Sequence, residues 1–100
     1  MNEGGDELAI KSIVEMKAKP GRRDELLRTL QEMSPVSGPG FIAAEHYRHV
    51  EDEDTVIGIY DWESNEKRVA WSQSLDPGTR GRLTEALATP MRILLAERIE

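Results

Sequence analysis

Residues 55–62 form a segment that is apolar on both faces, and this limits the folds that the chain can adopt. Strand-like alternation assigns three apolar side chains to one face and two to the other: Val56, Tyr60 and Trp62 against Ile57 and Ile59. β-Branched and aromatic residues of this kind are typical of strands. A strand that is apolar on both faces is buried on both faces. We therefore expect the sheet that contains residues 55–62 to be covered on both sides.

Strand-like and helical periodicities alternate along the rest of the chain. Three further segments are predicted to be strands, from alternation or from their β-branched and aromatic content: residues 8–17, 41–50 and 91–99. For the last of these, a helix end is the alternative. Helical spacing predicts a helix over 22–33, and Ser64 is the expected N-cap of a second helix. An Asp-Pro-Gly sequence at 76–78 interrupts that helix, and residues 80–88 are predicted to form another.

This order of elements, β-α-β-β-α-β, is typical of an α+β ferredoxin-like fold, which has one antiparallel sheet with its helices on a single face. The other face needs a cover, because the strand at 55–62 is apolar there as well. A chain of 100 residues also buries only about two-thirds of its unfolded surface. We therefore predict a homodimer through the open sheet face. Residues 1–7 are expected to be a flexible tail, and residues 8–100 a single domain.

Charge and cysteine content disfavour several classes of function. The chain has 13 Lys+Arg against 19 Asp+Glu, and its net charge of -6 argues against nucleic acid or an anionic membrane as a partner. The lack of cysteine excludes disulfides, thiolate metal sites and cysteine nucleophiles. The first residues lack the basic and apolar regions of a signal peptide, and no apolar run is long enough to span a bilayer. We expect a cytoplasmic protein that holds no metal.

Three motifs occur in the order in which one known family carries them. Residues 19–26 form a Pro-Gly turn that leads into a helix with an acidic first turn, and residues 38–41 form a glycine-rich entry to a strand. Residues 60–66 join an aromatic strand end to a serine-capped helix. Through the order and spacing of these motifs, residues 10–99 resemble the antibiotic biosynthesis monooxygenase (ABM) family.

The resemblance implies a dimeric ferredoxin-like α/β barrel with a cavity between the sheet and the helices. Some characterised members oxygenate polycyclic phenols without metal or flavin, others degrade haem, and many have no assigned activity, so the fold alone does not decide the chemistry. Our leading hypothesis is a small monooxygenase without a bound cofactor, acting on an aromatic or quinol-type molecule in secondary metabolism. The alternative is a non-catalytic dimer of the same fold that binds a small molecule or accompanies a partner enzyme.

Several positions depart from the functional residues of characterised family members. Haem-degrading members use an Asn, a Trp and a His at positions that correspond here to Val14, Trp71 and Gly81. Only Trp71 matches, which disfavours haem degradation; titration with haem, followed by absorbance, would test haem binding separately. Quinone-forming members use an Asn where this chain has Gly58. Any catalysis by this chain would therefore need a different set of residues.

Cofactor-free oxygenation has a short list of chemical requirements. A phenolate or enolate can give one electron to dioxygen, so the protein needs a dry pocket, a group that takes the proton and a donor that holds the anion. The catalytic candidates are His46, Tyr60 and Trp71. Four further residues are the substrate-binding candidates: Ser12, Val14, Trp62 and Arg80.

His46 is the candidate base. Alternation places it on a strand face with Ile42, Ala44 and Val50, where it would line the cavity. The alternative is a hydrogen-bonded strand residue with no chemical role. His49 falls on the opposite face, so the two imidazoles cannot hold one metal ion from this strand.

The other candidates also have structural alternatives. Trp71 is either a cavity wall or a core residue, and Tyr60 and Trp62 are cavity-edge aromatics or core side chains. Ser12 is the polar member of an apolar strand face, so it points into the cavity or bonds a neighbouring carbonyl. Arg80 is expected in the break between two helical pieces, where it could reach an anionic group of a ligand; the alternative is a surface arginine.

Overall fold

The computed structural model describes residues 9–33 and 39–99, so the predicted tail at 1–7 lies outside the described residues. Seven elements follow one another along the chain: β1 (Ile10–Lys17), α1 (Arg23–Glu32), β2 (Phe41–Arg48), β3 (Thr55–Trp62), α2 (Asn65–Ser74), α3 (Pro77–Ala86) and β4 (Arg92–Glu97). Their order confirms the β-α-β-β-α-β arrangement, with the second helical region divided into α2 and α3. No helix in these two ranges is long and apolar enough to cross a membrane.

The four strands form one antiparallel sheet in the order β2-β3-β1-β4, which confirms the ferredoxin-like fold. β3 is an inner strand, between β1 and β2. Ser12 lies opposite Tyr60 across β1 and β3, and Val14 lies opposite Gly58. On the other side of β3, His46 of β2 also lies opposite Gly58. This register brings side chains from three strands to the same face of the sheet.

The hydrophobic core lies between the helices and one face of the sheet. β1 alternates buried and exposed positions, and its buried residues Val14 and Met16 belong to the core. Leu26 and Leu30 of α1 and Leu83 of α3 join the same cluster. Full burial of a side chain of this size stabilises a fold by about 1.5–3 kcal/mol. These contacts hold α1 and α3 against the sheet.

The boundary between α2 and α3 differs from the prediction. α3 begins at Pro77, three residues before the predicted start at Arg80. The Asp76 carboxylate accepts a hydrogen bond from the backbone N–H of Thr79 at 2.7 Å, so Asp76 is the N-cap. Pro77 occupies the first turn, where a proline loses no helical hydrogen bond and its fixed φ already suits a helix. The Asp-Pro-Gly sequence therefore starts a helix, as well as ending the previous one.

On the opposite face of the sheet, no helix of the described chain covers the strands. Ile13, Ile57 and Ile59 lie on that face and are only partly buried, and Leu94 of β4 is 62% exposed. β4 is exposed along its whole length, including Ile93 on the helix side. Within residues 9–33 and 39–99, an apolar sheet face is therefore left open.

Candidate active site

A cavity of about 610 Å³ lies between the sheet and the helices. This volume is within the range of small-molecule sites, about 300–1,000 Å³. Six of the seven predicted site residues line the cavity: Ser12, Val14, His46, Tyr60, Trp62 and Trp71. The fold thus brings these side chains together, and their roles in catalysis and binding stay predictions.

Three aromatic rings form one part of the cavity wall. The ring centroids of Phe41 and Trp62 are 5.5 Å apart in an edge-to-face arrangement, and those of Trp62 and Trp71 are 5.6 Å apart. Aromatic rings at these separations attract each other beyond the effect of burial alone. Trp62 is only 2% exposed, so it is both a core residue and a wall residue. Trp71 is half-buried and brings α2 to the cavity.

A β-bulge at Ile42 changes which residues of β2 face the cavity. The pairing of β2 with β3 shifts between Phe41 and Ala43, which leaves Ile42 as the extra residue. Phe41 therefore lines the cavity together with His46, whereas Ile42 is 55% exposed. The prediction that Ile42 shares a face with His46 is wrong, because strict alternation fails at a bulge.

His46 and Tyr60 form a hydrogen-bonded pair in the cavity wall. The Nε2 atom of His46 lies 2.8 Å from the Tyr60 hydroxyl oxygen, and the two rings meet edge to face with centroids 5.4 Å apart. The strand register explains the contact, since Tyr60 lies two residues along β3 from the residue opposite His46 and is thus its diagonal neighbour. Which ring atom carries the proton depends on the imidazole tautomer.

Gly58 is the residue that leaves room for this pair. A Cβ atom added at position 58 would lie 2.4 Å from the Tyr60 hydroxyl oxygen and 2.7 Å from two ring carbons. The Tyr60 ring therefore occupies the space that any larger side chain at position 58 would need. The absence of a side chain at Gly58 therefore admits the Tyr60 phenol to this space.

Burial in the wall shifts the pKa of both members of the pair. It raises the pKa of the Tyr60 hydroxyl to about 12 and lowers the pKa of His46 from its ordinary value of 6.5. At neutral pH, Tyr60 is therefore a protonated donor and His46 an uncharged imidazole that can accept a proton. Because unfolding would restore the ordinary pKa of His46, the unfolded chain binds more protons, and His46 lowers stability as the pH falls through 6.5.

Arg80 is the one predicted site residue that does not line the cavity. It lies in the first turns of α3, and its guanidinium donates hydrogen bonds to the backbone carbonyls of Ser72 and Leu75. Both carbonyls lie at the end of α2, and that of Ser72 also accepts a hydrogen bond from the backbone N–H of Leu75. The predicted position of Arg80 in a helix break is wrong, and its geometry gives no support to a contact with a ligand.

Arg68 lines the cavity, although the pattern of apolar residues in its helix did not identify it as a site residue. On α2, Arg68 precedes Trp71 by three residues and Ser72 by four, and all three residues line the cavity. Residues at these spacings share one face of a helix. Helical spacing counted back from Trp71 is therefore the sequence signal that would have found Arg68.

His49 lies apart from the cavity, on the open face of the sheet. It borders a shallow depression there, together with Ile13 and Glu15 of β1. This placement agrees with the prediction that His46 and His49 occupy opposite faces. Within residues 9–33 and 39–99, no three His, Asp or Glu side chains are grouped in a way that could hold a metal ion.

The chain belongs to the antibiotic biosynthesis monooxygenase family, whose model matches residues 9–94. A protein of Bordetella bronchiseptica named for this family is 21% identical, with 92% of this chain and 98% of that chain covered at a TM-score of 0.79. Another protein of this name, from Nitrosomonas europaea, is 10% identical, with 94% of this chain and 93% of that chain covered at a TM-score of 0.83. A third protein, from Caulobacter crescentus, is 14% identical, with 94% of this chain and 92% of that chain covered at a TM-score of 0.81. At these identities the likeness shows the fold alone. No curated protein matches the chain.

We expect Gly58→Ala to displace Tyr60, because the new Cβ would collide with the phenol ring. Combined with Tyr47→Phe, which leaves Tyr60 as the only tyrosine, the change should move the Tyr60 pKa from about 12 toward its ordinary value of 10.0. An ultraviolet absorbance titration measures this pKa. Gly81→Ala in the same background is the control, since apart from its chain neighbours and its own helix backbone no heavy atom lies within 4 Å of its added Cβ. A folded Gly58→Ala variant with an unchanged Tyr60 pKa would contradict the proposed contact.

Proposed function

We propose that this ABM-family protein is a cofactor-independent monooxygenase that oxidises an aromatic or quinol-type small molecule. The observation that carries the proposal is the His46–Tyr60 pair inside an aromatic-walled cavity of about 610 Å³. A neutral imidazole is a proton acceptor, and an apolar cavity limits the water that competes for the substrate anion. The cavity therefore offers the conditions that cofactor-free oxygenation requires.

The reaction needs no component besides the substrate and dioxygen. Loss of a proton from the hydroxyl of a phenol or enol gives an electron-rich anion, which transfers one electron to dioxygen. The resulting radicals combine to form a carbon–oxygen bond, and the hydroperoxide loses water to leave a carbonyl group. A CH₂ group and one O₂ thus become C=O and H₂O. The four electrons lost by carbon are those gained by oxygen.

The roles proposed for the wall residues follow from their positions. The substrate hydroxyl would give its proton to the Tyr60 oxygen while Tyr60 passes its own proton to His46, so the pair acts as a relay. Trp71 would hold the flat face of the substrate. Ser12 lies opposite Tyr60 across the strands, is 4% exposed and lines the cavity, which supports a role for its hydroxyl as a hydrogen-bond donor to the anion.

A non-catalytic small-molecule-binding or accessory dimer is the second candidate function. It is favoured by Val14, Gly58 and Gly81, which stand where characterised enzymes of the family carry functional residues. A small-molecule-binding dimer would use the same cavity as the enzyme, and it differs from the monooxygenase in that no dioxygen is consumed when the ligand binds. An accessory dimer would accompany a partner enzyme and needs no ligand in the cavity.

We expect the protein to consume one dioxygen for each quinone formed from an anthrone or a naphthol. His46→Ala and Tyr60→Phe should each lower the rate by about 10²-fold or more, which is a typical contribution of general acid–base catalysis. An oxygen electrode and the absorbance of the quinone product measure the reaction. His49→Ala is the matched control, because it removes the other histidine, on the opposite face. Ligand binding without any oxygen uptake would favour the non-catalytic candidate instead.

We also propose that the chain works as a homodimer through its open sheet face. Ile13, Ile57 and Ile59 form an apolar surface on that face, and Leu94 of the edge strand is 62% exposed. An apolar surface of this kind on a small domain is typical of an interaction site. A second copy presents the same surface, so a two-fold arrangement would cover both at once.

Ile57→Glu should convert the dimer into monomers or aggregates, because the interface would then bury an unpaired carboxylate. Light scattering coupled to size-exclusion chromatography measures the mass. Val50→Glu adds the same charge at a residue that is 94% exposed outside the strands, and it should leave the mass unchanged. An Ile57→Glu protein that stays dimeric would rule out this face as the interface.

A further inference from the structure

Arg68 is the only permanently charged side chain among the described residues that line the cavity. The chain as a whole carries 19 acidic residues and a net charge of -6, yet none of these cavity-lining residues is an aspartate or a glutamate. The charge at the cavity wall is thus opposite in sign to the charge of the protein. A negatively charged ligand would be attracted to the positive charge of this wall, whereas the protein as a whole is negatively charged.

Among the described residues, the side chain that bonds the Arg68 guanidinium is neutral. The Nε atom of Arg68 donates a hydrogen bond to the side-chain oxygen of Asn65 at 2.9 Å, which orients the guanidinium without neutralising it. Glu63 lies five residues before Arg68 in the sequence, and its carboxylate forms an ion pair with Lys67, with 2.9 Å between Glu63 Oε1 and Lys67 Nζ. Arg68 thus brings a positive charge to the cavity wall, and among the described residues no carboxylate forms an ion pair with it.

The surroundings of Arg68 strengthen its effect on a bound anion. It is partly buried on the same helix face as Trp71, and the neighbouring wall is apolar, so solvent and salt screen its charge less than on an open surface. A guanidinium presents a planar set of N–H donors that matches the two oxygens of a carboxylate. Charge-assisted hydrogen bonds of this type are about twice as strong as neutral ones.

We infer that Arg68 makes the cavity selective for aromatic molecules that carry a carboxylate group, over neutral molecules of the same shape. The ring system would pack against Trp71 and the other aromatic wall residues, and the carboxylate would pair with the guanidinium. This inference rests on the proposed function, because it names the substrate class of the same cavity. It does not depend on oxidation taking place.

The test compares 2-naphthoate with 2-naphthamide, which have the same rings and differ in charge. Isothermal titration calorimetry on the full chain at neutral pH should give at least about tenfold tighter binding of naphthoate, as expected for a hydrogen bond to a charged group. Arg68→Gln should abolish this preference, and Arg68→Lys should keep part of it through charge alone. Arg28→Gln makes the same change of charge at an exposed residue outside the cavity lining and should keep the full preference.

Equal affinity for the two ligands in the unaltered protein, or no binding of naphthoate, would overturn the inference without any variant being needed. It would also be overturned if Arg68→Gln folds normally and keeps the preference. An assay of oxygen uptake with neutral phenols distinguishes failure of this inference from failure of the monooxygenase proposal. Uptake without a preference for naphthoate would leave the monooxygenase proposal standing and remove the inference. A preference for naphthoate, without uptake of oxygen for any phenol or hydroxynaphthoate, would leave the inference standing and remove the monooxygenase proposal.

Discussion

The Tyr60 ring lies directly against β3, and this contact is possible only because residue 58 is a glycine. A Cβ at position 58 would come within 2.4 Å of the Tyr60 hydroxyl oxygen. In this position the phenol meets the His46 imidazole at 2.8 Å and places an uncharged donor and an uncharged acceptor in the cavity wall. The polar chemistry of the cavity therefore depends on the absence of one side chain. Arg68 adds the single permanent charge among the described cavity-lining residues, so the wall combines a neutral proton-handling pair with a group that can hold an anion.

Strand alternation predicted the fold and much of the cavity wall, because alternation decides which side chains share a face of a sheet. The β-branched and aromatic residues at 55–62 correctly predicted the strand β3. Ser12 and Val14 line the cavity because they lie on the helix side of β1, as their apolar neighbours in the sequence indicated. The resemblance to the family supplied what periodicity could not, namely that a cavity lies between the sheet and Trp71 of the second helix.

The features that the sequence did not predict depend on contacts between distant elements or on a single local irregularity. One extra residue at Ile42 changes which side chains of β2 face the cavity, and no periodicity marks its position. The contact of Tyr60 with Gly58 depends on the direction of one side chain along its own strand, which alternation does not fix. Arg68 has the charge of a surface residue, and only its spacing from Trp71 indicates that it turns inward.

The most direct test of the central claim, that the His46–Tyr60 pair handles the proton of a bound phenol, is a crystal structure of the protein with 2-naphthol in its cavity. The ligand hydroxyl should lie within hydrogen-bond distance of the Tyr60 oxygen, with its rings against Trp71 and the His46 contact preserved. A naphthol bound elsewhere, or bound in the cavity with its hydroxyl directed away from the pair, would contradict the claim.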